Sequence, residues 1–128
     1  MEILIICLFI AALLPYIGKL PVAVAMSKIG GYDNQHPREQ QSKLTGFGAR
    51  SLAAHQNAFE SLIVFAIAIL CAIATKTTGE FIQQLAMTHI AARIAYHIFY
   101  LMNLSTLRSL VWFVATCSSF VIIYKCMP

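Results

Sequence analysis

A chain of 128 residues that is 59% hydrophobic and 11% charged, with a mean hydropathy of +0.75, departs from soluble domains, which are nearer half apolar and a quarter charged. That balance excludes a soluble fold with a polar shell. The length allows four membrane crossings of about 20 residues and leaves no room for a separate soluble domain. The net charge of +4 comes from basic residues scattered between apolar segments. Without a basic stripe or a nucleic-acid motif, it fits loops against an anionic membrane face and not nucleic acid.

Residues 3–26, "ILIICLFIAALLPYIGKLPVAVAM", form the first apolar block. Ala23-Val24-Ala25 resembles a small-residue cleavage site, but Glu2 stands where a signal peptide carries positive charge, so the block reads as a retained helix. Pro15 and Pro21 should bend it, and Lys19 must snorkel or find a partner. Residues 27–48 are the one extended polar segment. Gly30-Gly31, Asp33-Asn34 and Pro37 predict an ordered loop there, not a helix. The remaining helices are expected over about 49–75, 81–103 and 106–124, with Gly79 breaking the first turn and a tight corner at 103–107. The fold class is therefore all-α, a four-helix transmembrane bundle forming one domain over 1–128.

Lys28, Arg38, Lys43, Arg50 and Arg108 fall on the side of the 27–48 loop, and only Lys76 and Lys125 on the other. By the distribution of Lys and Arg, the loop should be cytoplasmic and both termini outside. Cys7, Cys71, Cys117 and Cys126 lie in or beside apolar segments without CxxC spacing, so free thiols are expected and no metal site.

The stretch "RSLAAHQNAFES" (50–61) puts polar groups at the head of an apolar run that is too short to span alone. Arg50, Asn57 and Ser61 share a helix face, with Glu60 on its flank and His55 pointing elsewhere. On the next helix, His89, Arg93, Tyr96, His97, Tyr100 and Asn103 form one broad stripe. Glu60 and Arg93 should lie at a common depth, each about 15 Å from the cytoplasmic end at 1.5 Å per residue, within reach of pairing. Such groups can be glue between helices. Arg50, Arg108, Tyr96, Tyr100 and Asn57 exceed what one ion pair needs, and together they suit an anionic, water-soluble ligand reached from the cytoplasm. The histidines read as structural, with no HExxH pattern.

These residues carry a resemblance. "RSLAAHQNAFE" and "RIAYHIFYLMNLSTLRS" are similar to the two signature segments of the MAPEG family, the membrane-associated proteins of eicosanoid and glutathione metabolism. "YDNQHPR" resembles its short bacterial branch, which suggests a bacterial inner membrane. The resemblance implies a homotrimer in contact with membrane lipids, with glutathione as co-substrate between subunits. It implies that Arg50, Asn57, Glu60, Arg93, Tyr96 and Tyr100 bind the tripeptide and that Arg108 stabilises its thiolate. The activity implied is that of a glutathione transferase or peroxidase on lipophilic electrophiles or hydroperoxides. The alternative is a non-catalytic lipid-binding scaffold of the same fold. A small transporter or channel also explains intramembrane charge, but these polar groups cluster toward one side instead of crossing the bilayer. Ala53 stands where some members carry a second arginine, and Ser61 where they carry a tyrosine, which bears on glutathione affinity.

Overall fold

The computed structural model describes residues 1–128 and is all-helical. α1 spans Glu2–Ser27, α2 Pro37–Ser42, α3 Gly46–Ala74, α4 Glu80–Leu101 and α5 Ser105–Lys125. Three of these, α1, α3 and α5, are long and apolar enough to cross a membrane. α4 has a comparable length, but Gln83, Gln84, His89, Arg93 and His97 dilute its apolar character. α1 continues as one helix through Pro15 and Pro21.

The loop differs from the sequence-based expectation in one respect. Pro37–Ser42 is helical, because Pro37 at the first helical position has the required φ already fixed and Arg-Glu-Gln-Gln behind it are good helix formers. Gln40 on this short helix is buried and ties the loop together. Its Nε2 donates to the carbonyls of Gly31 (2.6 Å) and Met26 (3.2 Å), and its Oε1 accepts from the Asp33 amide (2.9 Å). Asp33 in turn accepts the amides of Gln35 and His36 through Oδ1. The His36 amide is the main reason that the Asp33 carboxyl lies below the usual carboxylate range.

A carboxyl lowered in this way helps to order the loop above the unfolded pKa and ceases to do so as pH falls through the folded one. Hydrogen exchange at Gln35 and His36 should therefore stay slow through mildly acidic pH. It should quicken only below the ordinary Asp range near 4. Exchange that is already fast at neutral pH would remove Asp33 from this role.

The turns also redistribute the glycines. α3 ends in Lys76 with φ of 59°, a left-handed closing residue, whereas Gly79 is the extended N-cap of α4. Asn103, φ 60°, closes α4, as asparagine tolerates that conformation best after glycine. These short connections return each helix beside the last. α4 packs mainly on α5 and α1 mainly on α3.

The larger apolar core joins Leu4, Cys7 and Ala11 to Phe65, Ile69, Ala86, Ile90 and Ile122. It fills the half of the bundle that holds both termini. Alanines at 11, 58, 68, 72, 86 and 92 are buried and let the helix backbones approach closely. The exterior keeps large side chains such as Ile5, Phe9, Leu20, Ile67, Leu70, Phe113 and Phe120 exposed. An apolar surface that continuous belongs against lipid or another subunit. The apolar packing leaves the loop-side half of α3, α4 and α5 for polar groups.

Candidate functional site

Asn57, two turns into α3 from Arg50, is the residue on which the site turns. Its Oδ1 accepts from Arg93 Nη2 on α4 at 2.8 Å, while its Nδ2 donates to Glu60 Oε2 at 3.0 Å. The Glu60–Arg93 ion pair expected from depth is thus replaced by an amide relay. Depth places the two groups at one level, but Glu60 sits on the flank of α3 and is exposed, whereas Arg93 is 4% exposed. Asparagine has a donor and an acceptor, so it satisfies both charged groups at once.

From Arg93 the contacts continue toward the loop end of α4. Its guanidinium lies 4.1 Å from the Tyr96 ring centroid. Tyr96 meets Tyr100 edge to face at 5.6 Å between centroids, and Arg108 of α5 lies 4.3 Å over the Tyr100 ring. Glu60, Asn57, Arg93, Tyr96, Tyr100 and Arg108 therefore form one continuous chain of contacts across three helices. Such cation–π contacts hold a guanidinium in place while leaving its edge N–H groups free to donate. Arg50 stands apart. Its Nε is buried without a hydrogen-bond partner, and it touches none of the other six through an ion pair or hydrogen bond.

The broad stripe read on α4 divides among three neighbours. His89 is buried against α5, where its Nδ1 lies 2.9 Å from the Ala115 carbonyl and 3.1 Å from Ser119 Oγ, and its ring stacks on Phe65 of α3 at 3.9 Å. His97 is rotated from His89 by about 80° at 100° per residue, so it faces α1. There a Cβ on Gly18 would come within 2.6 Å of His97 Cε1, so only glycine admits the ring in its present position. Asn103 is exposed at the corner and outside the stripe. His55 donates through Nδ1 to the Pro15 carbonyl of α1, 2.7 Å away, and is a helix tie.

The buried His89–Ser119 contact was not anticipated. Its sequence signal is the hydroxyl pair Ser118-Ser119 in the second, more apolar half of α5. A hollow of about 190 Å³ opens beside Asn57 and Glu60, walled by Ser61, Val64, His89, Trp112, Thr116 and Ser119. It extends the polar surface from Glu60 toward α5. All four cysteines are unpaired.

Helix count or polarity alone would not assign this chain to a family, but the whole-chain pattern does. The family model for MAPEG matches residues 3–127. The chain belongs to the MAPEG family. No curated protein and no solved structure matches it. MAPEG proteins generally use glutathione, and the family includes glutathione transferases and peroxidases alongside non-catalytic members. Both segments that suggested the family, residues 50–60 and 93–109, carry the contact chain between Glu60 and Arg108 in this MAPEG fold.

Proposed function

We propose that this protein is a glutathione transferase or peroxidase of the membrane, working on lipophilic electrophiles or hydroperoxides. The observation that carries the reading is the unbroken sequence of contacts from Glu60 to Arg108, which joins a carboxylate to two guanidinium groups over a tyrosine platform. Glutathione has two carboxylates, an ammonium and a thiol. Arg50, with its unpartnered Nε, suits a carboxylate, and exposed Glu60 suits the ammonium. Asn57, Tyr96 and Tyr100 supply neutral hydrogen-bonding groups, and Arg93 holds Asn57 in position.

Arg108 is the catalytic residue of this reading. A free thiol has a pKa near 8.5 and is only slightly ionised at neutral pH. A guanidinium beside the sulfur stabilises the thiolate, which is the nucleophile. In conjugation the thiolate forms a bond to the electrophilic carbon and displaces its leaving group or adds across its double bond. In peroxide reduction it attacks the distal oxygen of the hydroperoxide, releasing the alcohol after protonation. The resulting sulfenic acid is then reduced by a second glutathione, which gives the disulfide and water.

In the same reading all four long helices cross the membrane, α4 being sheltered by α1, α3 and α5. The loop side is cytoplasmic, both termini lie outside, and three copies associate through the apolar exterior in a bacterial inner membrane. Arg50 then completes the site together with a neighbouring subunit.

The second reading, a non-catalytic lipid-binding scaffold, is favoured by Ala53 and Ser61. Both are half-buried on α3 and offer no guanidinium or phenol to the site. Thiolate absorbance separates the two readings. Purified protein mixed with millimolar glutathione at neutral pH should gain ultraviolet absorbance in proportion to its concentration. The absence of any thiolate signal would leave the scaffold.

A further inference from the structure

Arg93 has two ends with different surroundings. Nη2 is bound to Asn57, but Nη1 is buried without a hydrogen-bond partner, as is His97 Nε2. Both side chains line a cavity of about 190 Å³ between α1, α3 and α4, whose walls include Leu14, Leu62 and Ile98. A guanidinium among apolar walls is costly unless an anion or strong acceptor meets it. The second face of Arg93 therefore has the character of a binding group.

Ile94 lines this cavity and also a groove of about 410 Å³ along the seam of α1 and α4. The groove is lined only by apolar side chains, among them Ile3, Ile6, Ile10 and Met87. From Gly18 to Ile3 the seam follows α1 for about 22 Å at 1.5 Å per residue, the length of an extended long acyl chain. A cavity holding two unpartnered donors thus adjoins, across Ile94, a single apolar groove along the same helix seam.

The geometry points to an intramembrane site, within one subunit, for a single-chain amphiphile with a carboxylate head: a free long-chain fatty acid. The planar guanidinium matches a carboxylate, and the Nε2–H tautomer of His97 adds a second donor. The head cavity holds a carboxylate and the first carbons of its chain, whereas a two-chain phospholipid has a larger head and a second tail for which the seam has no place. The bound carboxylate would share Arg93 with Asn57 and so sit back to back with the proposed glutathione site. Its binding requires no glutathione and stands or falls separately from that activity.

The test uses the full chain in detergent micelles with radiolabelled palmitate, and methyl palmitate as the uncharged control. Palmitate should bind saturably, one per chain, and the ester at least about tenfold more weakly, as loss of a charge-assisted hydrogen bond requires. Ala91→Trp fills the groove from an exposed position and touches no buried polar group. It should weaken palmitate at least about tenfold without changing the assembly's size. Equal binding of acid and ester, or full palmitate binding by Ala91→Trp, would overturn the proposal. So would a wild-type chain without saturable palmitate binding whose assembly is split by Ala91→Trp, the result expected if a second copy covers the seam.

Discussion

Asn57→Ala is expected to destabilise the protein by about 1.5–3 kcal/mol, the range for hydrogen bonds to charged groups, and Glu60→Ala by much less. The reason is the order of contacts: Arg93 is nearly fully buried and donates to Asn57, not to Glu60. Removing Asn57 leaves Nη2 without its partner inside the bundle, while Nη1 has none to begin with. A neutral hydrogen bond between membrane helices averages about 0.6 kcal/mol, so the charge is what raises the expected loss. Glu60 is exposed, and its departure frees only Asn57 Nδ2. Thermal unfolding of the detergent-solubilised single variants and of Asn57→Ala/Glu60→Ala measures the effect. The double variant should be no less stable than Asn57→Ala by more than a few tenths of a kcal/mol, because the two losses share one path. A Glu60→Ala loss equal to that of Asn57→Ala would restore the direct ion pair in place of the relay.

That relay shows where sequence reading reached and where it stopped. Periodicity and rise per residue placed Asn57, Glu60 and Arg93 at one depth, since those quantities are fixed by helix geometry. They could not decide which polar atom lies between the other two, because that depends on the rotation of α3 against α4 and on side-chain reach. The same limit applies to the α4 stripe. His89, Arg93 and His97 spread over about 80° of one broad stripe, and α5, α3 and α1 each claim one of them.

The long helices were legible because hydrocarbon thickness demands long apolar runs. Pro37–Ser42 was obscured because its proline and neighbouring glycines were read as turn signals, although proline also opens helices. Gly79 does stand at the break between α3 and α4, as its extended N-cap, while the left-handed residue of that turn, Lys76, carries no sequence signal. The apolar seam beside Arg93 had no sequence signature at all, since Ile3, Ile10 and Met87 look like any other lipid-facing residues.

The largest functional effect should come from Arg108→Ala, which is expected to lower kcat/KM for conjugation about 10²–10³-fold, the loss typical of removing one preorganised anion-stabilising group. Arg108 is held by the Tyr100 face at 4.3 Å and forms no salt bridge. Its charge is therefore not neutralised by a carboxylate and remains available to a sulfur anion. The same arrangement predicts an ordering among variants that a merely structural arginine would not give. Tyr100→Phe retains the aromatic face and should keep most of the thiolate absorbance. Tyr100→Leu removes the face, lets the guanidinium wander, and should reduce that absorbance toward the Arg108→Ala level. The thiol pKa read from absorbance against pH should rise in Arg108→Ala toward the free value near 8.5, with the oligomer unchanged by size-exclusion. Most of the lost rate should then return at alkaline pH, where glutathione ionises unaided. Turnover that is unchanged in Arg108→Ala, or a loss that alkaline pH leaves intact, would take thiolate stabilisation away from Arg108.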